Sequence, residues 1–131
     1  MASRIQAINE YRPRIELGKR ADIDDLVDMI AARTGLNEGD VRQVLLELRD
    51  VVVFFNLRGQ PVKLEGLGTY TPTVKLDGTF NVGHRADMAI KRELNIPGEF
   101  DGDIKNRSNI GKTSDELVTM WNEEHPDDPV E

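Results

Sequence analysis

The segment Asn109–Leu117 reads NIGKTSDEL, and its GKT core has the residue types of a phosphate-binding loop. Such a loop needs G-x-x-x-x-G-K-[ST] between a buried strand and a helix, so that the first glycine lets backbone amides curl round the phosphates. Asn106 occupies that glycine's position, the preceding DIK is short and polar, and no βαβ alternation surrounds it. Nucleotide binding is therefore not expected. The glycines of Gly66-Leu67-Gly68 are followed by no helical pattern, so they read as a turn between strands and not as a dinucleotide fingerprint. His84 has Asp87 nearby, and His125 has Glu123, Glu124, Asp127 and Asp128. Neither set has the converging ligands of a metal site. Ser108 and Ser114 have no neighbouring base. No catalytic residue, metal or cofactor is expected.

What the chain offers chemically is cations. Lys63, Lys75, Arg85, Lys91, Arg92, Lys105, Arg107 and Lys112 fall almost all in the ribbon-bearing half, interleaved with Asp77, Asp87, Glu93, Glu99, Asp101 and Asp103. Clustered Lys and Arg are what a phosphate backbone requires. The formal net charge of −7 opposes that use, but residues 113–131 alone carry −7 while residues 1–20 carry +3. Residues 1–112 are neutral overall, which leaves nucleic acid open. At 131 residues, 38% hydrophobic and 31% charged, the chain has the size and composition of one soluble domain. No apolar run approaches the roughly 20 residues that cross a bilayer. MASRIQAINEYRPR lacks the apolar core of a secretory signal, and the absence of cysteine suits a reducing cytoplasm.

The elements that must position these residues follow from periodicity. In ADIDDLVDMIAARTG, Ile23, Leu26, Val27 and Ile30 hold one helical face, with Asp22 as cap and Gly35 as stop. In NEGDVRQVLLELRDVVVFFNLRG, Val41, Val44, Leu45, Leu48, Val51, Val52 and Phe55 hold a stripe from an Asn37 cap to Gly59. Val53, Phe54 and Leu57 widen it beyond one face, so a second subunit is expected to cover part of this helix. After Gly59 the period becomes two: Val62 and Leu64, the Gly66–Gly68 turn, Tyr70, then a hairpin around Asp77-Gly78. A three-residue loop aligning Val74 with Val82 and Leu76 with Phe80 keeps one apolar face. HRADMAIKREL reads as a short helix, NIPGEFDGD as loop, DIKNRSNI as a further strand, and Thr113 to Glu124 as a helix opened by a Thr113/Glu116 capping box. HPDDPVE reads as a tail.

In this order of parts, IDDLVDMIAARTGLNEGDVRQVLLELRDVVVFFNLRGQPVKLEGLGTYTPTV, Ile23 to Val74, resembles the first half of the bacterial histone-like HU and integration host factor family. The family's glycine-phenylalanine-glycine-threonine-phenylalanine turn is here Gly66-Leu67-Gly68-Thr69-Tyr70, and NIGKTSDELV looks like its closing glycine-lysine and helix, with Gly111 and Lys112 in the matching places. The resemblance implies an α+β fold: an N-terminal helix pair, then an antiparallel β-sheet with a β-ribbon and a C-terminal helix. It divides the chain into an extension at 1–21, an HU-like domain at 22–124 and an acidic tail at 125–131. It also implies a cytoplasmic, nucleoid-associated homodimer that is not an enzyme and binds duplex DNA mainly through phosphates. Lys75 and Lys112 are the leading candidate contacts, followed by Lys63, Lys105 and Arg107. The alternative is an HU-fold structural or protein-interaction module without DNA affinity, suggested by the acidic balance and by Asp77-Gly78 standing where the family has a basic, proline-tipped turn.

Overall fold

A computed structural model describes residues 2–130. Met1 and Glu131, the outermost positions of the expected extension and tail, lie outside the described residues. The chain forms two compact units, one from residues 20–100 and one from residues 1–19 together with 101–131.

In the first unit, α2 spans Ile23–Thr34 and α3 spans Glu38–Asn56. Their ends are where local chemistry predicts. The Asp22 amide donates to the Asp25 carboxylate at 3.0 Å, Gly35 ends α2 at φ 75°, and the Asn37 side chain accepts from the amides of Gly39 and Asp40. Capping satisfies amides that have no partner within the helix. Val27 and Val41 are buried where the two helices meet, and Arg42 pairs with Asp24 across them.

Three antiparallel strands follow, β2 (Val62–Leu64), β3 (Gly68–Val74) and β4 (Phe80–Ala86), in the order β2-β3-β4. The hairpin has the expected three-residue loop but not the expected register: Val74 lies opposite Phe80, and Pro72 opposite Val82. The turn decides this. Gly78, at φ 88°, donates to the Lys75 carbonyl, Lys75 donates to the Thr79 carbonyl, and the Thr79 amide donates to Asp77 Oδ1 at 2.8 Å. Centring the loop on Leu76–Gly78 puts glycine where the bulge needs a left-handed residue. Because the shift is two residues, the apolar side chains keep their face, and Leu76 moves from the ladder into the loop. The helix read at residues 84–94 is also corrected. β4 continues through Ala86, and α4 is Met88–Leu94, started by Asp87 capping the Ala89 amide at 2.8 Å.

The second unit joins the two ends of the chain. Residues 1–21, expected only as an extension, hold α1 (Arg4–Tyr11) and β1 (Arg14–Glu16). Strand β1 pairs antiparallel with β5 (Asp103–Lys105); a 3-10 turn at Arg107–Asn109 and α5 (Ser114–Glu124) follow. Ala7, Tyr11, Leu117, Trp121 and Val130 form its core. Asn106, at φ 60°, donates to the carbonyls of Glu10 and Arg12, and buried Asn109 donates to that of Tyr11. These contacts satisfy carbonyls that the end of α1 leaves open. The residues after α5 turn back along it: Trp121 Nε1 donates to the Asp128 carbonyl at 2.8 Å, and the Asn122 side chain accepts from the Val130 amide at 2.7 Å.

The Tyr11 hydroxyl donates to Glu124 Oε2 at 2.6 Å, tying α1 to α5. Burial first, then the hydrogen bond and charge of Glu124, push its pKa up from 10.0 to about 12. The folded state holds this proton more tightly than the unfolded chain. Its stabilising effect is therefore complete below pH 10.0 and is lost as pH rises through about 12. Unfolding followed by the fluorescence of Trp121, the one tryptophan of the sequence, should show a steeper alkaline loss of stability in the native chain than in Tyr11→Phe. Equal alkaline slopes would contradict this role.

Candidate nucleic-acid interface

Side chains alternate between the two faces of a strand, so the register sorts the sheet. Lys63, Thr69 and Arg85 form one row across β2, β3 and β4; Thr71 with Gly83 and Thr73 with Asn81 continue the same face, and Lys75 extends it beside Thr79. This face presents three cations, hydroxyls and an amide, and no carboxylate from the strands themselves. Its cations are exposed. The acids at its margins are Glu65, whose Oε1 lies 3.7 Å from Lys63 Nζ, and Asp77 in the turn. An exposed ion pair of that length holds Lys63 only weakly. The backbone amide of Thr79, then its hydroxyl, keep the Asp77 carboxyl below its ordinary pKa.

The opposite face is apolar: Val62, Leu64, Tyr70, Pro72, Val74, Phe80 and Val82. With Leu45, Leu48 and Val52 of α3 it walls a groove of about 1030 Å³. The rings of Tyr70 and His84 meet at 4.6 Å on this face. Gly68 sits at its closest approach, where a Cβ would run into the Arg85 carbonyl and lie 2.7 Å from His84 Nε2. Backbone cannot yield as a side chain does, so Gly68→Ala should cost about 1–3 kcal/mol, read as a lower denaturant midpoint. A midpoint equal to that of the native chain would show that β4 moves freely.

Of the five candidate contacts, Lys63 and Lys75 share the polar face of the sheet. Lys105, Arg107 and Lys112 belong to the other unit, where Lys105 lies directly across from Arg14 on β1. Lys112 precedes α5, and its Nζ lies 3.7 Å from Met120 Sδ. Arg85 is among the cations of the sequence but not among the five candidate contacts. The Thr69/Arg85 pairing puts it beside Lys63. In the GKT segment, Gly111 does turn, at φ 91°, and Thr113 Oγ1 accepts from the Glu116 amide at 3.2 Å. The side chain of Asn106 is directed to the carbonyls of Glu10 and Arg12 instead. His125 stacks on Trp121 with ring centres 3.8 Å apart.

The family of proteins described as an HU domain fused to a wHTH, Ig or glycine-rich motif, HU-HIG, has a sequence profile that matches residues 4–93. The chain belongs to the HU-HIG family. Its match covers α1, the helix pair and the three-stranded sheet, and ends within α4. Gly111 and Lys112 lie outside the matched residues. Among solved structures, a point variant of HU from Thermotoga maritima is 16% identical, covering 57% of this chain and 100% of its own, with a TM-score of 0.48. HU from Anabaena, in a cocrystal with DNA, is 15% identical, covering 59% of this chain and 100% of its own, with a TM-score of 0.49. A comparison with curated proteins gives no match. Among the described residues of this HU-HIG chain, no helix is long and apolar enough to cross a membrane, and no three His, Cys, Asp or Glu side chains gather as metal ligands.

Proposed function

We propose that this chain is a non-catalytic, nucleoid-associated homodimer that binds duplex DNA through phosphate contacts. The observation that carries this reading is the sorting of the sheet, with Lys63, Lys75 and Arg85 among hydroxyls on one face and apolar side chains on the other. A phosphate backbone meets charge and donors on the first face, and a second protomer covers the second. Lys105, Arg107 and Lys112 are supplementary contacts from the other unit.

The dimer follows from self-complementarity. Next to the groove-facing stripe of α3, the exposed side chains Val44, Val51 and Phe55 form another. A two-fold interface uses the same patch on both copies, and this chain presents both a groove and apolar side chains able to enter one.

Duplex binding measured at two salt concentrations tests the function, and sedimentation equilibrium tests the dimer. Affinity must fall steeply as salt rises. The net charge of −7 favours a second reading, an HU-fold protein-interaction module. Absence of duplex binding even at low salt would establish that reading over the first.

A further inference from the structure

The pairing of β1 with β5 sets like charges directly opposite one another. Arg14 lies across from Lys105 and Glu16 across from Asp103, while Ile15 and Ile104 share the other face. Like charges in that relation oppose strand pairing. A slip of two residues would bring Arg14 opposite Asp103, but the register is fixed from outside the strands: Asn106 donates to the carbonyls of Glu10 and Arg12, and Asn109 to that of Tyr11. Arg12, in extended backbone two residues before Arg14, prolongs the cationic row. The acids stand at the other end of the strand pair, about 7 Å along each strand. Arg12, Arg14 and Lys105 are exposed and make no ion pair among the described residues, whereas Arg4 and Arg20, the other arginines of residues 1–20, pair with Asp115 and Asp22. Arg14 Nη1 donates to the Asn9 carbonyl at 3.2 Å, which orients the guanidinium without neutralising it and leaves further N–H donors free to bind.

We infer that Arg12, Arg14 and Lys105 form a second phosphate site for duplex DNA, borne by the unit of the chain ends and separate from the sheet face. This rests on the duplex-binding reading and gives the other unit a site of its own, with Arg12 and Arg14 as its new members. Within the chain the row only repels itself; a polyanion laid across it removes that repulsion, and the guanidinium forks match phosphate oxygens. Duplex DNA is the occupant because of tethering. A chain held on a duplex by its sheet confines the other unit to the neighbourhood of the same polymer, and the high effective concentration fills a site of only three contacts.

The test uses the full chain with Lys63→Ala, Lys75→Ala and Arg85→Ala combined, which removes the sheet cations without adding repulsion. This alanine variant should keep a weak duplex affinity at low salt. Three neutralised phosphates give a slope of log K against log salt of about −2.7, a loss of about 40-fold between roughly 50 and 200 mM. Adding Lys105→Glu should lower the remaining affinity at least about tenfold. The same change turns the repulsion across from Arg14 into an attraction, so the melting temperature should rise as binding falls, which excludes unfolding as the cause. Arg14→Lys, which keeps the charge, should stay near its parent. If the alanine variant loses all the binding that the native chain shows at roughly 50 mM salt, or if Lys105→Glu leaves its affinity unchanged, the row is overturned and the sheet reading is untouched. An alanine variant as tight as the native chain removes the sheet reading instead, and Lys105→Glu still decides the row. Displacement of the duplex from the alanine variant by polyglutamate at equal charge concentration would overturn the duplex as occupant. A native chain without duplex binding removes both sites together.

Discussion

Glutamate at Lys63, Lys75 and Arg85 together is expected to abolish duplex binding at moderate salt while leaving the fold intact. A dimer presents each cation twice, so about six phosphates are neutralised and log K falls with log salt at a slope on the order of −5. Between roughly 50 and 200 mM salt that is about a thousandfold loss for the native chain. The triple variant replaces all three attractions by repulsions. Arg85→Ala alone should lower the slope by about two, one for each protomer, and weaken binding alike on unrelated sequences. All three side chains are exposed and point away from the apolar groove, so thermal unfolding of the variants should match the native chain to within about 0.5 kcal/mol. A salt slope unchanged in the triple variant would remove the polar face of the sheet from the site. Lys105→Ala, Arg107→Ala and Lys112→Ala then measure what the other unit contributes.

Trp121→Ala should unfold the unit built from the two chain ends and spare the unit of residues 20–100. Trp121 is 6% exposed; it meets Tyr11 edge-on at 6.5 Å, carries the His125 ring at 3.8 Å, and donates to the Asp128 carbonyl. Removing a buried tryptophan costs about 3–5 kcal/mol. A unit of this size has little stability in reserve. Hydrogen exchange should therefore lose protection over residues 4–11 and 114–124 and keep it over 23–56, where Val27 and Val41 form a separate core. Protection lost in both regions at once would show that the units unfold as one. Protection kept in both would show that Tyr11 and Leu117 alone sustain the unit of the chain ends.

Much of the first unit was legible because its signals are local. The Asp22 and Asn37 caps, the Gly35 stop and the stripes on α2 and α3 all act within a few residues, and the structure starts both helices at these caps, ends α2 at Gly35 and ends α3 at Asn56, shortly before Gly59. The sheet was legible as to face but not register. Alternation fixes which side Val74 and Phe80 occupy, and a two-residue slip leaves that unchanged. Only the hydrogen bonds of Lys75, Asp77 and Gly78 choose among registers. The place of Arg85 is not legible locally: HRADMAIKREL is compatible with a helix, and pairing with β3 holds its first residues extended.

Composition and periodicity by themselves determined the helix pair, the two-residue alternation of the sheet and the supply of cations, because each depends on neighbours in the chain. The tertiary structure decided which cations share a face. Lys63, Lys75 and Arg85 come together through strand pairing, and Lys105, Arg107 and Lys112 are assigned to another unit. It also decided what NIGKTSDEL belongs to. The helix after it finds its partner in α1, more than a hundred residues earlier, through Tyr11 with Glu124 and Arg4 with Asp115 at 2.5 Å. Helical periodicity states that a face must be buried but not against what, since any apolar surface satisfies it.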